Sequence, residues 1–121
     1  MAKAETNIQN KIRLAIDHMC TTFRNHVGMV KDENGWVHRF GLCKGSSDVV
    51  GWTSVIVTPQ MVGKSVAVFT AIEVKTKTGK ETKAQFRFRH KVTSSGGIAF
   101  VARSPEEAQS KLSSFLVSLT N

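Results

Sequence analysis

The sequence predicts a mixed α/β (α+β) fold, a central mixed sheet flanked by helices in the order α-β-β-β-α-β-α. Three observations carry this reading. Apolar residues recur at helical spacing near both ends of the chain, Val- and Ile-rich runs fill the middle, and helix caps precede two later segments. At 121 residues the chain is the size of one domain with one core, and 1–121 is read as a single domain.

The first helix is expected from Glu5 to about Phe23. Ile8, Ile12, Ile16 and Met19 form its apolar stripe, broadened by Leu14 and Ala15. Glu5 stands one turn before Ile8 and Gln9, at the start of that stripe. Arg24 to Val30 and Trp36 to Phe40 then form a hairpin about Asn34-Gly35, a strong turn signal. Gly41 to Ser47 reads as a flexible segment whose glycines permit close approach of backbone to a ligand. Asp48 follows, where this loop enters the apolar run Val49 to Val57.

Pro59 to Ser65 is an exposed connection turning at Gly63. Val66 to Val74 is apolar on nearly all sides, as an interior strand covered on both faces would be. Glu73 and Lys75, two apart, share one face of it, with Ile72 and Val74 on the other. Thr76 to Lys83 reads as a mobile basic loop about Gly79. Thr82 caps a helix with Gln85 as third residue of a capping box, and the helix runs to about Ser94 with Phe86 and Val92 inward. Gly96-Gly97 ends it, and Ile98 to Ala102 is a short strand. Ser104-Pro105-Glu106-Glu107 is a second capping box, opening a helix to about Val117 that buries Ala108, Leu112, Phe115 and Leu116.

Seventeen Lys and Arg against nine Asp and Glu give a net charge of +8. The resulting field favours a polyanionic partner. There is neither a long apolar span nor a long basic amphipathic helix, which argues against a membrane. Cys20 and Cys43 are unrelated thiols without a second pair for a zinc cluster: a buried thiol at Cys20, a loop or core thiol at Cys43. The opening Met1-Ala2-Lys3-Ala4-Glu5 has no secretory apolar stretch, so an intracellular, cytoplasmic setting is expected.

The candidate chemistry sits on Asp48, Glu73 and Lys75. Two carboxylates brought close repel each other unless a proton or cation intervenes, and hard oxygen ligands suit magnesium. Lys75 would stabilise charge on a phosphoryl oxygen while a metal ion activates water, which together suggest phosphodiester hydrolysis. Each residue also has a purely structural reading. Glu73-Val74-Lys75 reads as a strand-end ion pair, Asp48 as a turn acid, Glu5 as an acid on the helix dipole, and Gln85 as a capping residue. Lys77, Lys80, Lys83, Arg87, Arg89 and Lys91 cluster downstream of Glu73, and with Lys44 and Ser46 they are candidate nucleic-acid contacts. His18, His26, His38 and His90 show no ligand spacing.

The ordered set of Glu5 and Gln9, Gly45-Ser46-Ser47-Asp48-Val49-Val50-Gly51, Ile72-Glu73-Val74-Lys75, Gly79 and Gln85, and Gly96-Gly97 resembles the virus-type replication-repair nuclease (VRR-NUC) domain. That family falls in the restriction-endonuclease-like PD-(D/E)xK superfamily, and the resemblance covers almost the whole chain. It implies a restriction-endonuclease-like core using Mg2+ or Mn2+. Asp48, Glu73 and the Val74 backbone carbonyl would be metal ligands, with Glu5 a further candidate, Lys75 the catalytic lysine, and Gln85 the glutamine after the core. Ser47 stands where the family usually has proline. Stand-alone, often phage-encoded members resemble Holliday-junction resolvases, which implies a homodimer cutting branched or duplex DNA in a bacterial host's cytoplasm. RNA stays open as a substrate, and the competing reading is a non-catalytic nucleic-acid-binding module that keeps the fold.

Overall fold

The computed structural model describes residues 3–120. Met1 and Ala2, the first residues of the opening read as lacking a secretory apolar stretch, and Asn121 lie outside the described residues. The chain divides into two compact units, Met1–Val55 and Ile56–Asn121. Mixed α/β architecture holds, with three α-helices and six strands among the described residues in both parallel and antiparallel ladders. These ladders are three strand pairs, and five strands rather than three separate the first two helices.

In the first unit, helix α1 spans Lys3–Ile16 and stops well short of Phe23. The amides of Met19 and Cys20 fold back on the Ile16 carbonyl at 2.9 and 3.1 Å, closing the helix. The β-branched pair Thr21-Thr22 then opens strand β1, Thr21–Arg24. β1 pairs antiparallel with β4, Val49–Trp52, and Phe23 packs on Trp52 with ring centroids 5.4 Å apart. Gly51 is required in β4, because a Cβ there would run into the Thr21 backbone. Only the first four residues of the Val49 to Val57 run enter a ladder; Val55, Ile56 and Val57 are exposed.

Strands β2, Gly28–Lys31, and β3, Val37–Phe40, form the expected hairpin. Gly35 takes a positive φ of 84° in its turn, and Asp32 Oδ1 accepts the amides of Asn34 and Trp36 at 2.9 and 3.0 Å. The expected buried stripe of α1 is not buried: Ile8, Ile12, Leu14 and Met19 are exposed, Glu5 is exposed, and Gln9 is the helix's buried residue. Within its unit no strand among the described residues packs broadly on α1, so the stripe has no surface there to be buried against. Arg13 ties the helix to β1 through Thr22, donating to its Oγ1 and its carbonyl at 3.1 Å each.

The second unit opens with a 3₁₀ turn, Pro59–Met61, and is built on a βαβ element. Strand β5, Thr70–Val74, crosses over through α2, Lys83–Ser94, to its parallel partner β6, Ile98–Ala102. Helix α3, Pro105–Thr120, completes it. The strand covered on both faces is β6, not the Val66 to Val74 run. Ala108, Leu112 and Phe115 of α3 pack on Ile98, Phe100 and Ala102, while α2 contacts the same strand. In β5 Ile72 and Val74 remain 44% and 76% exposed, because α3 is centred over β6. Leu116 and Phe86 are likewise exposed, against expectation, whereas Val92 is fully buried.

Candidate active site

Glu73 lies on β5 and Lys75 directly follows it, and the strand period places them on one face with Ala71, as predicted. The Lys75 ammonium sits 3.4 Å from Glu73 Oε1, with side chains 17% and 35% exposed. That separation is longer than a tight charge-assisted hydrogen bond, so the ammonium is held near the carboxylate without being saturated by it.

The same Oε1 accepts a 2.7 Å hydrogen bond from Gln85 Nε2. At its other end the Gln85 side-chain carbonyl accepts the Thr82 amide at 2.9 Å, and the Thr82 hydroxyl accepts the Gln85 amide at 3.1 Å. This is the full capping box the sequence predicts, worth about 1 kcal/mol to the helix start. It also dictates which way the amide faces, since its oxygen must meet an N–H and its nitrogen a carboxylate. Capping and site roles, which the sequence leaves as alternatives for Gln85, are therefore filled together. Glu73, Gln85 and Arg89 line a concavity of about 430 Å³ between β5, α2 and β6, with Ala71, Phe88 and Phe100 among its apolar walls.

Arg89 is committed within the unit. Its Nε and Nη2 donate to the two Glu81 carboxylate oxygens at 2.8 and 2.9 Å, and its guanidinium lies 5.1 Å from the Phe86 ring centre. The Arg89 hydrogen bonds hold the Glu81 carboxyl below the usual glutamate range, and the charges of Arg89 and Lys75 add to the effect. The guanidinium is in turn raised above its ordinary value, chiefly by Glu81.

The loop after Lys75, read as mobile, is tied by hydrogen bonds. It is a turn closed by the Gly79 amide on the Thr76 carbonyl at 3.2 Å, and Arg103 Nη1 spans it, donating to the carbonyls of Thr76 and Gly79 at 2.6 and 2.7 Å. Lys77, Lys80, Lys83, Arg87 and Lys91 are exposed around it and along α2. At the start of α3 the Ser104 hydroxyl accepts the Glu107 amide at 3.1 Å, but the Glu107 carboxylate takes the Arg103 amide at 2.9 Å in place of the reciprocal bond to Ser104.

In the first unit Asp48 is exposed at the foot of β4. The loop before it, read as flexible from its glycines, is organised by a residue sequence reasoning missed. Asn25 Nδ2 donates to Ser46 Oγ at 2.7 Å and to the Ser47 carbonyl at 2.8 Å, and its Oδ1 accepts the Leu42 amide at 3.0 Å. The Asn25 amide reaches the Asp48 carbonyl at 2.8 Å. Ser46 is fully engaged, since its hydroxyl also donates to the Cys43 carbonyl at 2.6 Å and accepts the Cys43 amide at 3.3 Å. The one sequence signal for Asn25 is its polarity between β1 and the hairpin. Lys44 is exposed beside Ser46, and both cysteines are free thiols, Cys20 half-buried and Cys43 exposed.

Glu73, Lys75 and Gln85 thus meet in one unit, while Glu5 and Asp48 belong to the other. Among the described residues no group of three or more His, Cys, Asp and Glu could hold a metal ion. No helix of the described residues is long and apolar enough to cross a membrane. Comparison with curated proteins and with solved structures gives no match. Comparison with protein families matches the VRR-NUC domain over residues 16–106, a span holding Asp48, Glu73, Lys75 and Gln85. The chain belongs to the VRR-NUC family, related to the PD-(D/E)xK nucleases.

Proposed function

We propose that residues 1–121 act as one nuclease domain that hydrolyses DNA phosphodiester bonds with Mg2+ or Mn2+, selectively on branched DNA such as a four-way junction, and as a homodimer. The observation that carries this reading is the Glu73, Lys75 and Gln85 arrangement within a VRR-NUC match. A homodimer suits paired incisions because two equivalent sites give symmetric cuts.

The donor chemistry fits a hard divalent ion. Glu73 Oε1 takes both Gln85 and Lys75, and among the described residues Oε2 has no hydrogen-bond partner. That leaves one carboxylate oxygen of a partly exposed side chain for a cation. The family resemblance names the Val74 carbonyl, Asp48 and Glu5 as further oxygen ligands, and magnesium would keep water and phosphate in its remaining positions. When bound, the ion supplies Lewis-acid polarisation of the phosphodiester and activation of water. Gln85 keeps the Glu73 carboxylate turned in one direction, as an outer hydrogen bond does for a ligand. Lys75, loosely paired, offers its remaining N–H bonds to a phosphoryl oxygen that gains charge.

Lys44, Lys77, Lys80, Lys83, Arg87 and Lys91 would contact the nucleic-acid backbone, consistent with the net charge of +8. Free thiols suit a reducing intracellular setting. The test is to incubate the protein with labelled junction, flap, duplex and single-stranded DNA, and with RNA, in Mg2+, Mn2+ or EDTA. Metal-dependent cleavage with preference for the junction is expected. Salt-sensitive binding without cleavage would instead identify a non-catalytic nucleic-acid-binding module.

A further inference from the structure

We infer that Arg103 is a preorganised phosphate-binding residue at the carboxyl end of the β5–β6 ladder, an inference that rests on the nuclease reading and extends it beyond the basic residues named so far. Its position comes from strand register. Glu73 is level with Val101 and Val74 with Ala102, and the Lys75 amide donates to the Ala102 carbonyl at 3.1 Å, so the ladder continues one step and sets Arg103 beside Lys75. Level residues of neighbouring strands share a face, which puts Arg103 on the face of Glu73 and Lys75. The carboxyl ends of parallel strands are where open α/β sheets bind ligands.

Charge separates Arg103 from the other cations of this unit that are fixed in place. Arg89 is tightly paired with Glu81, while Lys111 and Lys75 each have a carboxylate within 4 Å, Glu107 and Glu73. Arg103 is held only by neutral carbonyls, those of Thr76 and Gly79, through one nitrogen. Among the described residues it forms no ion pair, and its Nε and Nη2 have no hydrogen-bond partner. The Glu107 carboxylate takes the Arg103 backbone amide and turns its charge to Lys111, 3.7 Å away. The result is an exposed guanidinium with its full charge, one nitrogen anchored and a two-donor edge open. A flexible arginine gives up much rotamer freedom on binding, whereas this one has already lost it to the turn. A bidentate acceptor with diffuse negative charge, a backbone phosphate, matches that edge.

The full chain is tested by fluorescence anisotropy with a labelled four-way junction and a duplex in EDTA, over a salt series. Arg103→Gln keeps an amide N–H donor for the turn carbonyls but removes the charge, and Arg103→Lys keeps the charge. Arg103→Gln is expected to reduce the slope of log Kd against log salt by about 0.9, one phosphate, and Arg103→Lys to preserve it. A second measurement on wild-type protein follows the Arg103 Nε–H resonance, identified by its loss in Arg103→Lys; it should shift saturably as duplex is added. Wild-type slope and affinity in Arg103→Gln, or an Nε–H signal unmoved while DNA is bound, overturns the assignment and leaves the nuclease reading intact. If wild-type protein binds no DNA, the underlying reading fails and this assignment with it.

Discussion

Gln85 joins the cap of α2 to the carboxylate of Glu73: one side-chain amide accepts the Thr82 N–H at 2.9 Å and donates to Glu73 Oε1 at 2.7 Å. The helix start and the candidate catalytic acid are therefore a single hydrogen-bonded assembly. Any change that loosens the cap also frees the carboxylate.

Gln85→Leu, similar in size but without hydrogen bonds, should cost about 1 kcal/mol of stability, because it strips the Thr82 amide of its acceptor. Cleavage should fall roughly 10- to 100-fold through loss of Glu73 orientation. Urea unfolding and the initial cleavage rate, measured on the same preparation, check both. A stability loss with wild-type cleavage would reduce Gln85 to a capping residue.

Asn25→Ala should release the loop from Leu42 to Ser47, costing about 1–3 kcal/mol for the stranded polar groups. The Leu42 amide, which donates to Asn25 Oδ1, should exchange with deuterium much faster. Hydrogen exchange followed by NMR reads this directly. Unchanged protection would mean the loop holds itself.

Gly97→Ala should destabilise by about 1–3 kcal/mol, measured by thermal or urea unfolding. A Cβ at Gly97 would lie 2.8 Å from Val92 Cγ1 and 3.0 Å from the Phe69 carbonyl, and Val92 is the most buried side chain described. Gly96→Ala fails for a different reason, the positive φ of 98°.

What the sequence made legible is what is decided locally. The Thr82 and Gln85 capping box, the Asn34-Gly35 turn and the Gly96-Gly97 stop depend on residues a few positions apart, and all three stand in the structure. Glu73 and Lys75 share a face because the strand period guarantees it. What escaped depends on distant partners. β1 exists because Thr21–Arg24 meets Val49–Trp52, and without that partner the segment reads as a helix end. The Val66 to Val74 run is apolar enough for an interior strand, yet only Thr70–Val74 finds a neighbour and the covered strand is β6. Asn25 and Arg103 act across more than fifteen residues of chain, so their immediate neighbourhoods do not reveal which groups they bind.

The pair of Arg89 and Glu81 sets a pH dependence. The Glu81 carboxyl is held below its ordinary range by Arg89, so the pair stabilises the folded state above the unfolded glutamate pKa, about 4.3, and that contribution is lost as pH falls through the lower folded value. Glu81→Gln should flatten the part of the stability profile that falls below about pH 4.3. Unfolding midpoints from pH 7 to pH 3 for wild type and variant test this, and parallel profiles would contradict it.

The central claim is that Lys75 and Glu73 divide the chemistry, the lysine stabilising charge on phosphate and the carboxylate holding the ion. Calorimetric Mn2+ titration of wild type, Lys75→Ala and Glu73→Ala, run beside junction cleavage by the same samples, measures that division. The expected result is that Lys75→Ala binds Mn2+ as wild type does and cleaves at least about 100-fold more slowly, while Glu73→Ala loses both. Wild-type cleavage by either variant would contradict it.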